Sequence, residues 1–304
     1  MEMSRLLAVD LCGIDLKNPI IPASGVYGFG GEFLDFYDPN ILGAITLKGT
    51  TLEPRFGNPT PRVAESASGM LNAIGLQNPG IDAVIAEELP KLREFYSGVT
   101  IANISGFSVE EYVECCRRID GLADIIEVNV SCPNVHAGGV NFGSDPRSAA
   151  EVTAAVRAVV QKSPIFIKLS PNVTDIKEIA RACEGSGADG LSLINTLVGM
   201  RIDIRRRRHV LANRIGGLSG SAIFPVALRC VYDVAHAVKL PIIGMGGVAS
   251  AEDVVEMMMA GASAIAIGSE NLRNPMVCAE IIERLPELMD ELDIERLSEI
   301  TGTV

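Results

Sequence analysis

A cysteine lies between two asparagines directly after an apolar stretch of the chain. The hexapeptide NVSCPN, residues 129–134, follows the apolar run that begins at residue 124, and this run has the composition of a buried β-strand. Because Pro133 cannot donate to a sheet ladder, strand pairing should end near it. Cys132 is therefore either a small buried hydrophobic residue or a reactive thiol at the opening of an active site.

Polar side chains also end the neighbouring predicted strands. From the second to the sixth strand these residues are Lys48, Asn103, Asn129 with Cys132, Lys168, and Asn195 with Thr196. Any one of them could simply cap a loop. If the strands are parallel, however, their carboxyl ends meet at one face, and the set predicts a cavity lined by amide, ammonium and thiol groups.

Three glycine-rich turns precede predicted helices. They are GGLSGSAI (216–223), MGGVAS (245–250) and IGSENL (267–272). Backbone N–H groups at such turns bind anions, phosphate above all, although the glycines could also serve tight turns alone. The last two turns follow the seventh and eighth strands, the common phosphate position in barrels.

A phosphate site beside a polar cavity suggests a phosphorylated cofactor such as FMN. A lysine near the pyrimidine edge of a flavin would stabilise its anionic reduced form. Lys168 adjoins an apolar run, so its burial would require an anionic partner.

Apolar β-rich runs alternate with helical patterns along the chain. Eight strands are predicted, at 19–24, 44–50, 100–105, 124–131, 164–170, 190–196, 241–247 and 264–269. Helices are predicted between most of them, at 78–95, 108–121, 145–162, 174–187, 224–239 and 250–261. This alternation predicts a (β/α)₈ TIM barrel with its active site at the carboxyl face of the strands. A doubly wound sheet is the alternative, but no G-x-G-x-x-G follows the first strand.

Two connections are long for such a fold, roughly 51–78 and 196–221. Both follow the carboxyl end of a strand, so we expect them to contribute to the site. The first contains several prolines and glycines, and its segment 55–61 could be a static loop stiffened by proline. No composition shift divides the chain, and we expect residues 1–304 to form a single FMN-binding domain.

The composition disfavours nucleic-acid binding and membrane contact. The formal net charge of −12 disfavours a broad nucleic-acid surface, although Arg205 to Arg208 form a short basic run. The first residues contain Asp10 and Asp15 and lack a long apolar run, which predicts a soluble, cytoplasmic protein without membrane contact.

The cysteine pattern argues against a metal or iron–sulfur site in this chain. There are seven cysteines without a C-x-x-C pair, and three histidines. Most of these cysteines lie in apolar helical patterns and are expected to be inert core residues.

Several motifs together resemble the class 1 dihydroorotate dehydrogenases. They are SGMLNAIGLQNPG (68–80), NVSCPN, LANRIGGLSG (211–220) and IGMGGVAS (243–250). The stretches NVSCPNVHAGG and GMRIDIRRRRHVLANRIGGLSG are most similar to 1B catalytic subunits. The resemblance implies oxidation of (S)-dihydroorotate to orotate in pyrimidine (UMP) biosynthesis, with hydride transfer to FMN and Cys132 accepting the carbon 5 proton.

The resemblance also implies that the connection 51–78 helps to cover the bound substrate, and that its closure would exclude water. It implies the binding residues as well. For the substrate these are Lys48, Asn72, Ala73, Ile74, Gly75, Leu76, Asn129, Asn134, Asn195 and Thr196. For FMN they are Ser24, Lys48, Gly49, Asn103, Asn129, Lys168, Ile194, Gly220, Gly246, Gly247, Gly268 and Ser269. Electrons would pass to NAD⁺ through a separate subunit carrying FAD and a [2Fe–2S] cluster, in a heterotetramer built on a homodimer.

Three other activities remain open from the sequence. One is a fumarate-linked 1A enzyme, and another is a different FMN enzyme acting on pyrimidine rings, such as dihydropyrimidine dehydrogenase or dihydrouridine synthase. The third is a non-redox phosphate-binding barrel in which Lys168 forms a Schiff base.

Overall fold

The computed structural model describes residues 6–130 and 142–304. The β-strands, numbered in chain order, are β1 (Val9–Leu11), β2 (Ile14–Leu16), β3 (Ile20–Pro22), β4 (Ala44–Thr46), β5 (Val63–Ser66), β6 (Gly69–Asn72), β7 (Val99–Ile104), β8 (Ile125–Asn129), β9 (Ile165–Lys168), β10 (Gly190–Leu193), β11 (Leu197–Met200), β12 (Ile202–Asp203), β13 (Arg208–His209), β14 (Ile215–Ser219), β15 (Ile242–Met245) and β16 (Ala264–Ile267).

The helices connect most of the barrel strands. The α-helices are α1 (Ile81–Ala83), α2 (Leu89–Phe95), α3 (Val109–Ile119), α4 (Pro146–Val159), α5 (Ile176–Gly185), α6 (Phe224–Ala235), α7 (Ala251–Met259), α8 (Glu270–Arg273) and α9 (Val277–Glu291). A π-helical turn, Val84–Glu88, joins α1 to α2. Short 3₁₀ helices span Gly31–Phe33, Pro39–Ile41, Phe142–Ser144, Ser221–Ile223 and Leu297–Ile300.

Eight parallel strands form one sheet in the order β3-β16-β15-β10-β9-β8-β7-β4. The backbone N–H of Gly43 donates to the carbonyl of Ile20 at 2.9 Å, which brings the two ends of the sheet together. The predicted (β/α)₈ barrel is confirmed, and the doubly wound alternative is wrong. Strands such as β9, β10 and β16 are buried at every position, as parallel strands covered on both faces must be.

Side-chain caps set the starts of four barrel helices. Ser108, Asp145 and Asp175 accept hydrogen bonds from backbone N–H groups in the first turns of α3, α4 and α5. Ser250 and Asp253 form a reciprocal capping box at the start of α7. Each cap satisfies N–H groups that would otherwise lack partners, which fixes where these helices begin.

The two long connections form a second sheet, which the sequence did not predict. Strands β11, β14, β6 and β5 pair antiparallel in that order, with Asn72 of β6 opposite Gly217 of β14. Residues of this sheet, including Met70, Asn72 and Ser219, line the cavity described below. We call it the covering sheet. Its position confirms that both connections contribute to the site.

The segment 55–61 is tied to the rest of its connection by backbone hydrogen bonds. Arg55 and Asn78 exchange two of them, at 2.9 and 3.1 Å, and Asn58 N–H donates to the carbonyl of Ile74 at 2.9 Å. The Arg55 guanidinium lies 4.3 Å from the ring centre of Phe107. The segment is therefore held in register by main-chain pairing.

A hairpin of β1 and β2 lies at the opposite end of the barrel from the covering sheet. Its turn places Cys12 and Gly13 at positive φ, 59° and 79°. The Cys12 thiol donates to the carbonyl of Asp189, just before β10 begins, at 3.2 Å. Within residues 6–130 and 142–304, no helix is long and apolar enough to cross a membrane.

Candidate active site

A cavity of about 240 Å³ opens at the carboxyl ends of the barrel strands. It is lined by 17 of the residues predicted from the sequence. These are Ser24, Lys48, Gly49, Asn72, Ile74, Gly75, Leu76, Asn103, Asn129, Lys168, Ile194, Asn195, Thr196, Gly246, Gly247, Gly268 and Ser269. The polar residues predicted to end separate strands therefore do converge on one cavity, as far as the structure describes them.

Of the predicted site residues that the structure describes, two are not among those lining the cavity. Ala73 is fully buried in a small apolar cluster with Leu71 and Leu211. Gly220 packs against the covering sheet, where an added Cβ would lie 2.4 Å from the Cα of Gly69. Cys132 and Asn134 lie outside the described residues.

Sequence reasoning missed several lining residues. They are Ala23, Gly25, Val26, Val63, Met70, Ser219, Ile223, Met245 and Leu272. Most are apolar or small, and three of them belong to the covering sheet. The prediction relied on polar residues at strand ends, so it could not identify them.

A buried acid beneath the cavity was also missed. Glu127 is only 2% exposed, and its Oε1 lies 3.4 Å from the ammonium Nζ of Lys168. The same oxygen accepts a hydrogen bond from Nδ2 of Asn103. Glu127 is the anionic partner that the burial of Lys168 requires. A charged residue inside the apolar run IIEVN was the signal that could have revealed it.

The three residues of this cluster lie on adjacent strands of the barrel. Asn103 of β7 is directly opposite Glu127 of β8, and Lys168 ends β9. Both Asn103 and Lys168 line the cavity. The Oδ1 atom of Asn103 is buried and has no hydrogen-bond partner among the described residues. Since a buried acceptor without a partner is unfavourable, this oxygen is suited to a ligand N–H group.

A chain of amide hydrogen bonds joins two other strand ends beside the cavity. Nδ2 of Asn195 donates to Oδ1 of Asn129 at 3.3 Å, and Oδ1 of Asn195 accepts from the Thr196 N–H at 2.8 Å. The backbone carbonyl of Asn129 accepts from the Tyr112 hydroxyl at 2.8 Å. These contacts fix the amide groups that face the cavity.

The covering sheet packs closely against Thr196, the residue after Asn195. Gly217 of β14 leaves room for Thr196, because an added Cβ there would lie 2.0 Å from the threonine Oγ1. Nδ2 of Asn72 is 3.5 Å from the carbonyl of Gly217, and both Asn72 and Thr196 line the cavity. The covering sheet therefore adds the Asn72 amide to the donors and acceptors that line the cavity.

Glycine turns form another part of the cavity wall. Gly247 has a φ of 79°, and a Cβ there would lie 2.7 Å from the backbone N of Phe224, so the turns after β14 and β15 pack against each other. At Gly268 an added Cβ would meet no atom within 4 Å. Together with Ser269, these turns bring backbone and hydroxyl groups to the cavity, as anion binding requires.

None of the six described cysteines lines this cavity. Burial raises the pKa of Cys115 and of Cys278 to about 12, and it raises that of Cys183 to about 11. All three thiols are fully buried, so the expectation that most of the cysteines are core residues is confirmed for them. The described residues also contain no cluster of three or more His, Cys, Asp or Glu side chains suited to hold a metal ion.

Comparison with known protein families identifies the chain's relatives. The family model described as dihydroorotate dehydrogenase matches residues 6–289. The chain belongs to the dihydroorotate dehydrogenase family. This membership agrees with the resemblance that the sequence motifs carried, and it gives no support to the non-redox barrel.

Relatives of this family match the chain over nearly its whole length. A protein of Exiguobacterium sibiricum is 59% identical over 302 residues, which cover 99% of this chain and 97% of the relative. Proteins of Anoxybacillus flavithermus and Halalkalibacterium halodurans are 59% and 57% identical, each over 99% of this chain and over 96% and 98% of the relatives. All three carry the name dihydroorotate dehydrogenase B (NAD(+)), catalytic subunit.

Proposed function

We propose that this chain oxidises (S)-dihydroorotate to orotate, with FMN held in the cavity and NAD⁺ as the final electron acceptor. The observation that carries the proposal is the convergence of Lys48, Lys168, several asparagines and the glycine turns on one cavity. The relatives that match 99% of the chain bear the name of this activity. The reaction belongs to pyrimidine biosynthesis.

The residues present fit FMN. Asn103 offers a buried acceptor that has no partner among residues 6–130 and 142–304, and Lys168 offers a cation near it. Together they suit a ring that carries an N–H and a carbonyl. Gly246, Gly247, Gly268 and Ser269 would hold the phosphate. When bound, FMN supplies the acceptor for the hydride that leaves carbon 6 of the substrate.

The other polar residues of the cavity would bind and orient the substrate. Asn72, Asn129 and Asn195 each donate and accept, which suits the ring amides of a cyclic imide. Ile74, Gly75 and Leu76 from the connection 51–78 line the cavity beside them. We expect these residues to hold the substrate ring in one orientation and to exclude water from it.

Cys132 is the proposed general base. It follows Asn129, which lines the cavity, by three residues in the sequence, and it would accept the proton from carbon 5. A thiol whose usual pKa is about 8.5 is a far better base at neutral pH than a hydroxyl. Asn134 would contribute a further amide to the substrate.

The proposal includes a partner subunit. The name "catalytic subunit" on the relatives supports a second chain, which we expect to carry FAD and a [2Fe–2S] cluster. This chain would form one FMN-binding domain within a cytoplasmic heterotetramer built on a homodimer, without binding nucleic acid or a membrane. Alone, it should reduce dyes with dihydroorotate but should not reduce NAD⁺.

The test is an absorbance spectrum of the purified chain before and after anaerobic addition of dihydroorotate. We expect a flavin spectrum that bleaches, with one FMN per chain released on denaturation. A chain that cannot be loaded with FMN, or whose flavin stays oxidised, would contradict the proposal. A panel with orotate, uracil and fumarate then separates this activity from the other pyrimidine-ring enzymes, because efficient turnover with fumarate would indicate the 1A type.

A further inference from the structure

We infer that Glu127 is a positioning residue that holds Lys168 and Asn103 beneath the cavity and offsets the lysine charge there. The inference rests on the proposed function for the identity of the cofactor and for the transfer of its electrons to a partner. Glu127 itself is not among the residues lining the cavity, whereas Lys168 and Asn103 both are. Its influence on a bound ligand must therefore pass through these neighbours and through its charge.

The first step of the argument concerns orientation. An ionised carboxylate only accepts hydrogen bonds, so the neighbouring amide of Asn103 must present its Nδ2 to Glu127. The amide oxygen Oδ1 of Asn103 is then directed away from the carboxylate and toward the cavity residue Gly49. A Cβ added at Gly49 would lie 2.8 Å from this oxygen. Glu127 therefore fixes the orientation of the Asn103 amide, so that its acceptor oxygen faces the part of the cavity near Gly49.

The second step concerns the lysine. Nζ of Lys168 lies 3.4 Å from Oε1 of Glu127, and the two side chains are only 7% and 2% exposed. In such a buried pair the electrostatic interaction is screened less than at the surface. The carboxylate fixes the ammonium in place and also reduces the positive potential that the ammonium creates in the cavity.

The third step connects this charge balance to electron transfer. A cation beside the cavity stabilises an electron-rich ring, and an unopposed cation would stabilise it further. The enzyme must also release the electrons to its partner after each turnover. With Glu127 next to it, Lys168 still favours reduction of the bound flavin. Because the carboxylate offsets part of the lysine charge, the reduced flavin is stabilised less strongly and can release its electrons.

The experiment compares flavin midpoint potentials of the FMN-loaded chain and of variants. Glu127→Gln keeps the size and an acceptor oxygen but removes the charge. We expect the ratio of reduced to oxidised flavin at a fixed potential to rise about tenfold, or about 30 mV for a two-electron couple. Lys168→Met should lower the same ratio about tenfold. Glu127→Asp, which retains the charge, should stay near the parent value.

Two further variants separate charge from structure. Val128→Ala, at the next position of β8 and fully buried, should lower stability without moving the potential. The double variant Lys168→Met with Glu127→Gln replaces the ion pair by a neutral pair, and its potential should return toward the parent value. It also covers the case in which Glu127→Gln does not fold.

The inference is overturned if the potential of Glu127→Gln is unchanged or lower, or if the double variant behaves like Lys168→Met alone. Glu127 would then have a structural role only. In that case the parent protein still binds FMN and is bleached by dihydroorotate, so the proposed function stands. A parent protein that binds no FMN would overturn both.

Discussion

Nδ2 of Asn195 donates to Oδ1 of Asn129 at 3.3 Å, which links residues that follow β10 and end β8 on one side of the cavity. The link leaves each amide in a fixed orientation, and both residues line the cavity. Because the ring of orotate carries amide donors and acceptors, an ordered amide pair of this kind can recognise it without moving.

Asn195→Ala should therefore weaken orotate binding about 10- to 100-fold, since a substrate group and Asn129 would each lose a hydrogen-bond partner. FMN content should stay near one per chain. The measurement is the change in flavin absorbance on titration with orotate.

Asn172→Ala is the matched control for this prediction. Nδ2 of Asn172 donates to the Thr196 carbonyl at 2.9 Å, and Oδ1 of Asn172 accepts from the Val198 N–H at 2.9 Å. Asn172 is not among the residues lining the cavity. It should change orotate affinity by less than about threefold. Equal losses in the two variants would show that loop position, and not the Asn195 amide, determines binding.

The glycine turns give a second prediction, in which one substitution should weaken FMN binding and the other should lower stability. At Gly268 an added Cβ would meet no atom within 4 Å, so Gly268→Ala should fold with nearly unchanged stability. If the FMN phosphate binds there, the added methyl group should weaken FMN binding about tenfold or more. Gly185→Ala, where a Cβ also meets nothing within 4 Å, lies in α5 away from the cavity and should leave FMN affinity unchanged.

Gly247→Ala should instead lose stability, by about 1–3 kcal/mol, because φ is 79° and the Cβ would lie 2.7 Å from the Phe224 backbone. Thermal unfolding and FMN titration on the same samples check both variants. An unchanged FMN affinity in a stably folded Gly268→Ala would remove this turn from the phosphate site.

The barrel strands could be predicted from the sequence because parallel strands buried on both faces require continuous apolar runs. The run 164–170 and the observed strand β9 illustrate this, since every position of β9 is buried. The site residues at strand ends could be predicted for a related reason. A polar side chain that directly follows a buried parallel strand lies at the carboxyl face of the barrel, where the cavity opens.

The covering sheet could not be predicted from local signals. Its strands contain Gly199, Gly216 and Gly217, which have low strand propensity. Their pairing also depends on contacts between distant parts of the chain, such as Asn72 opposite Gly217. Glu127 was missed for a related reason, because its partner Lys168 is 41 residues away in the sequence.

The buried ion pair of Lys168 and Glu127 gives a third prediction, on stability. Lys168→Met should cost about 3–5 kcal/mol of unfolding free energy, because it leaves a carboxylate buried without a counter-charge. Adding Glu127→Gln to that variant should restore part of the loss. Urea unfolding of the apo-proteins measures both, and a double variant less stable than Lys168→Met would contradict this account of the pair.

Alkaline pH should destabilise the protein through its buried thiols. Burial raises the pKa of Cys115 to about 12 and of Cys183 to about 11, whereas an unfolded thiol titrates near 8.5. Above pH 8.5 the unfolded chain therefore binds fewer protons than the folded one, and stability falls with pH. This contribution is complete below pH 8.5 and is lost as pH rises through 11 to 12.

Each such thiol contributes about 1.4 kcal/mol per pH unit to the loss. Urea unfolding at pH 8 and pH 10 measures it. The variant with Cys115→Val and Cys183→Val should lose less stability over this interval than the parent. The same loss in both proteins would show that other groups, and not these thiols, govern the alkaline response.

Cys132→Ser tests the proposed base. The variant should bind FMN normally, yet dihydroorotate should reduce that flavin about 10²- to 10⁴-fold more slowly, since a hydroxyl is a much poorer base than a thiol. Stopped-flow absorbance under anaerobic conditions measures the reduction rate. Cys12→Ser is the matched control, because Cys12 contacts Asp189 at the opposite end of the barrel and should not affect reduction. Near-normal reduction in Cys132→Ser would remove this thiol from the proton transfer, whereas a slow Cys12→Ser would point to a general effect of losing a thiol.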